Sequence, residues 1–206
     1  MADGPIIQRA TSAAIEKGAN INNFLVELAK LQECLTIPAV VMSYYNPIFR
    51  FGMQDFFKKA KHAGASGLIM VDLPLEEAKD YIEKARGLEL DTIFFVTPVT
   101  SAGRIKKIVK YSRGFIYYIS VTGITGPKEL DYSSLASQVR NIKRVTDLPI
   151  CVGFGIHSRE QVIRISEFSD GVIVGSEIVK FIEKHHGDKG FLSKLEKHIR
   201  VLTGKN

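Results

Sequence analysis

The feature that most constrains this chain is a strand–loop–helix unit of roughly 25 residues that recurs along it, the scale of a βα unit. Each unit opens on a short apolar run: residues 37–44, 67–71, 92–96, 115–119, 150–153 and 171–174. These runs do not alternate apolar with polar, which is the pattern of parallel strands covered by helices on both faces. Amphipathic stretches lie between them. Residues 53–63 precede Gly64, which suits a helix C-terminus, and residues 76–86 end near Gly87. Residues 102–111, 132–145, 178–183 and 191–202 read as further helices. At the start, residues 1–8 read as irregular and 11–16 as a short helix closed by Gly18. Residues 21–33 form a helix with Asn20 or Asn22 as cap and Phe24, Leu25, Leu28, Leu31 and Cys34 on one face. Asn46-Pro47 reads as a strand exit. Connections this short leave two architectures, a doubly wound sheet or a barrel.

In a barrel the residues that follow the strands share the C-terminal face, where active sites form. Those residues are Tyr44-Tyr-Asn46, Asp72, Thr97-Pro98, the stretch 122–126, Gly153-Phe-Gly155 and Gly175-Ser176. Ile150-Cys-Val-Gly-Phe-Gly-Ile156 and Gly171-Val-Ile-Val-Gly-Ser-Glu177 place glycines at two neighbouring strand ends, with Ser176 where a helix would begin. Backbone N–H groups at such a place can cradle a phosphate. The same glycines can equally serve as plain tight turns.

The remaining bounds are coarse. With 206 residues and 45% hydrophobic content the chain has material for one core. Its +6 charge is spread over helix-like stretches such as Lys58, Lys59 and Lys61 and forms no clustered stripe, which argues against nucleic acid. An anionic small molecule suits that balance. Cys34 and Cys151 are far apart, without metal spacing, and both read as core thiols of a reducing compartment. No apolar run reaches membrane length and no secretory signal is evident, so a cytoplasmic location is the expectation.

Six ordered motifs carry a resemblance: Met1-Ala-Asp-Gly-Pro5 with Ile7-Gln8, Met42-Ser-Tyr-Tyr-Asn-Pro-Ile48, Val71-Asp-Leu-Pro74, Ser120-Val-Thr-Gly-Ile-Thr-Gly126, Val152-Gly-Phe-Gly-Ile156 and Val174-Gly-Ser-Glu-Ile-Val179. Together they resemble the tryptophan synthase alpha chain family over essentially the whole sequence. The resemblance implies an α/β fold of the (β/α)8 TIM-barrel family, here with about six of eight βα units in one incomplete domain, 1–206. It implies retro-aldol cleavage of indole-3-glycerol phosphate to indole and glyceraldehyde 3-phosphate. It also implies a beta-chain partner that carries pyridoxal phosphate, this chain holding no cofactor and no metal. Cleavage needs a proton delivered to the indole ring carbon, one removed from the neighbouring hydroxyl, and negative charge beside the ring N–H.

By resemblance Asp3 faces the indole nitrogen; its alternative is an aspartate of the Asp-Gly-Pro turn. Tyr117 matches a tyrosine that orients the acid/base group, or is an inward-facing core residue. Thr125 matches a lid threonine that meets Asp3. Gly126, Gly155, Gly175 and Ser176 match phosphate contacts, Phe154 and Phe95 flank the substrate, and Met42 and Tyr44 line the indole pocket. Asn46, Asp72 and Pro74 match the face toward the beta chain. His157 reads as a solvated neighbour of a helix cap.

The family has a strand, a helix and a second strand ahead of the Ala2-Asp-Gly-Pro5 motif, and the second strand ends in the principal acid/base glutamate. The 206 residues begin inside that motif, and no other carboxylate in them matches the glutamate. Six strands are therefore expected to leave open edges at 37–44 and 171–174, and cleavage by these residues alone to be far below that of full-length relatives. The alternatives are a remnant that only binds or activates a beta chain, and another phosphate-binding barrel. The latter is disfavoured because Ala2-Asp-Gly-Pro5 and Tyr45-Asn-Pro47 are not general features of such barrels.

Overall fold

The computed structural model describes residues 3–120, 131–153 and 155–204. Helices α1 (Pro5–Glu16) and α2 (Ile21–Gln32) precede strand β1 (Ala39–Ser43), and α3 (Tyr45–Phe51) and α4 (Met53–His62) lead to β2 (Ala65–Met70). A 3-10 turn at Leu75–Glu77 and α5 (Lys79–Arg86) connect to β3 (Asp91–Val96), and α6 (Ala102–Tyr111) to β4 (Ile116–Ile119). Then follow α7 (Tyr132–Lys143), β5 (Ile150–Gly153), α8 (Arg159–Ser166), β6 (Gly171–Ile173), α9 (Ser176–His185) and α10 (Phe191–Thr203). All neighbouring strands are parallel, in the order β1-β2-β3-β4-β5-β6. The strands curl into a partial barrel of the (β/α)8 type, which decides between the two architectures.

The two-residue period divides the strand side chains between two cores. Leu68, Met70, Phe94, Val96, Ile116, Tyr118, Ile150 and Val152 join the helices in the larger, outer one. Ile69, Ile93 and Tyr117, with Phe95, Phe115, Ile119 and Ile173, form the smaller one on the concave side. Asp170 ties the entry end of the sheet together: its carboxylate accepts from Ile150 N at 2.8 Å and from Lys143 Nζ at 2.7 Å. Gly64 follows α4 with φ +92, and a Cβ there would fall 2.3 Å from the Gln32 side chain, so both backbone and space require glycine.

Several local expectations need correction. α1 starts at Pro5 and not near residue 11, because Pro5 occupies the first helical position and Gln8 N reaches the Gly4 carbonyl at 3.1 Å. Asn46-Pro47 is not an exit loop but the first turn of α3, where proline's missing N–H costs nothing; Asp72 Oδ1 accepts from Tyr45 N at 2.7 Å. α2 is capped by Asn20 as read, yet it buries only Leu25 and Leu28, leaving Phe24, Leu31 and Cys34 exposed. Cys34 is thus no core thiol; it lies beyond the end of α2. α5 ends at Arg86 with Gly87 as its cap, as read, but it begins at Lys79, behind the separate 3-10 turn. α9 runs from Ser176 to His185, longer at both ends than its apolar spacing implied.

As expected for six strands, β1 pairs only with β2 and β6 only with β5 among the described residues. Val40 is 38% exposed and Met42, on the concave side, 50% exposed. The helices at the two ends of the chain do meet: α1 packs on α9, and Arg9 Nε and Nη2 each donate to Glu183 at 3.1 Å. That exposed ion pair is a weak fastening compared with a strand pair.

Two outcomes follow from this arrangement. The 206-residue polypeptide alone should self-associate through its open strands, and Val40→Lys should reduce the association seen by sedimentation. A monomer that melts cooperatively would overturn this. Burial alone would raise the Asp170 pKa, but the Ile150 amide and the Lys143 ammonium outweigh it and hold the carboxyl below its usual value. Its stabilising contribution is therefore present above the usual carboxylate range and is lost as pH falls through the lowered value. Asp170→Asn should lower the melting temperature near pH 7 and much less near pH 3; an equal loss at both would sink the assignment.

Candidate active site

Because every strand runs the same way, the residues just past each strand form one rim. Tyr44 follows β1, Asp72 follows β2, Thr97 β3, Ser120 β4, Gly155 β5, and Gly175-Ser176 β6. Asp3 reaches this rim from ahead of α1. The Tyr44 hydroxyl donates to Asp3 Oδ2 at 2.8 Å, and Gln8 Nε2 donates to the Asp3 carbonyl at 2.7 Å. The half-buried aspartate is thus held at both its side chain and its backbone. The side-chain bond joins Asp3 to a residue 41 positions away, beyond its own turn.

Below the rim the concave side is apolar and aromatic. The Phe95 and Tyr117 rings lie 5.0 Å apart with planes at 43°. Tyr117 is buried, and burial, with a smaller contribution from Cys151, pushes its pKa up, so the phenol stays protonated and can only donate or accept through a neutral hydroxyl. Burial likewise raises the Cys151 thiol, which removes it as a nucleophile near neutral pH. Tyr117 is therefore an inward-facing core residue whose hydroxyl lies on the concave side.

The glycines divide by role. A Cβ on Gly153 would sit 2.6 Å from the Tyr117 hydroxyl, so this glycine makes room for that ring and is explained without any ligand. A Cβ on Gly175 would meet nothing within 4 Å, and this glycine caps α9, whose first residue is Ser176. Gly155 is exposed with φ +74. Gly155 thus lies past β5, and Gly175 and Ser176 lie past the adjacent β6, where α9 begins.

The other expected residues are distributed as follows. Met42 lies on the concave side of β1 and is half exposed. Asn46, Asp72 and Pro74 are exposed on the outer rim, with Phe49 of α3 63% exposed among them in sequence. Thr125, Gly126 and Phe154 lie outside the described residues. His157 is exposed, its Nδ1 2.9 Å from the Gly155 carbonyl, ahead of a capping box made by Ser158 and Gln161. Two residues inside the quoted motifs had drawn no role. Gln8 fixes Asp3, and Ser120 uses its backbone N and its Oγ, each 2.9 Å from the Gly153 carbonyl, to join two strand exits. The first contact is local, within one motif, and the second joins segments 33 residues apart. Among the described residues no three His, Cys, Asp or Glu side chains converge as metal ligands.

Gly153→Ala should cost about 1–3 kcal/mol of stability by driving a methyl into the Tyr117 ring. Tyr117→Leu in the same chain should recover part of that loss in thermal melts; a purely additive loss would show that the two residues do not meet.

Residues 1–203 match the family model for the tryptophan synthase alpha chain. The chain is 44% identical over 185 residues to the tryptophan synthase alpha chain of Carboxydothermus hydrogenoformans, covering 90% of this chain and 69% of that one. It is 42% identical over 198 residues to that of Methanocaldococcus jannaschii, covering 96% and 70%. Among solved structures, the Pyrococcus furiosus tryptophan synthase a2b2 complex superposes with a TM-score of 0.89 at 34% identity, over 99% of this chain and 82% of that one. The Mycobacterium tuberculosis tryptophan synthase superposes with a TM-score of 0.84 at 32% identity, over 100% and 76%. Sequence and overall fold agree, and the chain belongs to the tryptophan synthase alpha chain family, a lyase family of tryptophan biosynthesis.

Proposed function

We propose that this chain contributes the indole-3-glycerol phosphate site of a tryptophan synthase. The reaction is retro-aldol cleavage to indole and glyceraldehyde 3-phosphate. The observation that carries the reading is the Asp3 carboxylate, held at the rim by the Tyr44 hydroxyl, with the Phe95–Tyr117 pair on the concave side of the sheet. The apolar floor suits the indole ring, and Asp3 supplies a negative group for the ring N–H. Protonation of the ring carbon that bears the side chain makes that ring cationic, and charge on Asp3 stabilises it. Loss of the neighbouring hydroxyl proton then forms the aldehyde as the carbon–carbon bond breaks, and its electrons return to the ring. Gly155, Gly175 and Ser176 would anchor the phosphate through backbone N–H groups and the α9 dipole. Tyr117 would orient the acid/base group, a glutamate in the family for which residues 1–206 offer no counterpart.

The partner proposed is a beta chain, in which pyridoxal phosphate would act on serine and the released indole; this chain would hold no cofactor. The solved complex from Pyrococcus furiosus supports such an assembly. The exposed Asn46, Asp72 and Pro74 would face that chain, and Phe49, 63% exposed, offers it apolar area.

Indole release from indole-3-glycerol phosphate, with and without a beta chain, tests the reading. Asp3→Asn should lower the rate by about a hundredfold or more, with a smaller loss for Tyr44→Phe. The 206 residues should turn over far more slowly than full-length relatives. If they release no indole yet raise the beta chain's own activity, the binding-only alternative stands and the catalytic one falls.

A further inference from the structure

Helix α9 carries, besides its open N-terminus, an acidic residue that works against an anion there. Glu177 lies in the first turn of α9, directly after Ser176. A carboxylate in a first turn satisfies the positive end of the helix dipole and so competes with any bound anion. Its side chain is 19% exposed, which limits screening by water. The cap residue Gly175 offers the α9 N-terminus no side-chain hydrogen bond, so Glu177 is the acidic group closest in sequence to those open N–H groups.

The carboxylate is engaged from outside that turn. Its Oε1 lies 3.7 Å from His198 Nε2 of α10, and its Oε2 4.0 Å from Lys180 Nζ one turn further along α9. His198 Nε2 is buried and has no hydrogen-bond partner among the described residues, and Glu177 is the carboxylate it lies against. The imidazole cannot easily turn away, because it stacks on Phe181 of α9 with centroids 4.3 Å apart and planes at 17°. The other face of the cluster is braced as well: Phe181 meets His185 at 4.5 Å, and His185 and Lys194 both reach Asp188. The imidazole of His198 is therefore packed at a fixed place beside one carboxylate.

We infer that Glu177 and His198 set the anion affinity of the α9 N-terminus, with His198 holding the Glu177 carboxylate toward α10. His198 is a positioning residue: it acts on the phosphate end of the substrate through Glu177. This rests on the proposed placement of the phosphate at Gly155, Gly175 and Ser176. It adds to that reading that two residues outside the rim tune how tightly a dianion is held.

Binding of glycerol 3-phosphate to the chain, followed by ligand-observed NMR, separates the possibilities and tolerates a self-associating protein. Glu177→Gln should tighten binding about fivefold, the effect of one nearby, partly screened charge. His198→Gln should weaken it by a similar factor, and should do nothing once Glu177 is already glutamine. An equal weakening by His198→Gln in both backgrounds would mean that the histidine only supports packing, and the inference falls. It falls too if Glu177→Gln leaves affinity unchanged, a test that stands even if the His198 variant does not fold. Ser176→Asp serves as the check on placement, since it should abolish binding. If it does not, the phosphate sits elsewhere and the proposed site fails together with the inference; if it does and the coupling is absent, the inference alone fails.

Discussion

The structure depends on one continuous ladder of parallel strands, paired in sequence order from β1 to β6. Parallel pairing makes all strand exits face the same way, and nearest-neighbour order makes consecutive exits adjacent. The rim is a consequence of both. Asp3, Tyr44, Phe95, Tyr117, Gly155 and Ser176 come from segments spread over more than 170 positions of the sequence, and only the ladder brings them to one end. The same ladder exposes the open sides of β1 and β6, which no described strand covers. The gap is bridged at the level of helices, where α1 lies on α9.

That bridge links the two chemically distinct ends of the rim. α1 follows directly on Asp3, and α9 begins at Ser176. The Arg9–Glu183 pair therefore connects the helix behind the carboxylate to the helix behind the proposed anion site. Both partners are largely exposed, so this contact aligns the helices more than it stabilises the fold. Burial does the stabilising, in the outer core between strands and helices, where Phe56, Phe57, Tyr81 and Phe94 form a chain of edge-on aromatic contacts.

Glycine shows how one residue type can mislead when read alone. Gly153 and Gly155 stand two apart in one apolar motif, and both read equally well as turn or cradle. The structure separates them. Gly153 is glycine because Tyr117 from the neighbouring strand fills the space its side chain would occupy, whereas Gly175 faces open space and Gly155 is exposed with a positive φ. Cys34 teaches a similar lesson from the other side: helical spacing put it on an apolar face, but of that face only Leu25 and Leu28 are buried.

Much was legible from the residues alone. Strand positions, the absence of alternation, the caps at Asn20 and Gly64, and the family all follow from local composition and ordered motifs, because those depend on neighbours close in sequence. The α3 helix at Asn46-Pro47 was not legible, since its first N–H is satisfied by Asp72 from another βα unit. Nor were the Asp3–Tyr44 hydrogen bond, the Gly153–Tyr117 contact and the pairing of Glu177 with His198. Each joins segments far apart in the chain, and the chain alone carries no measure of that distance. The sequence by itself determined which residue types stand at the strand exits. Only the tertiary structure decided which of them touch, because strand register and curl set those contacts.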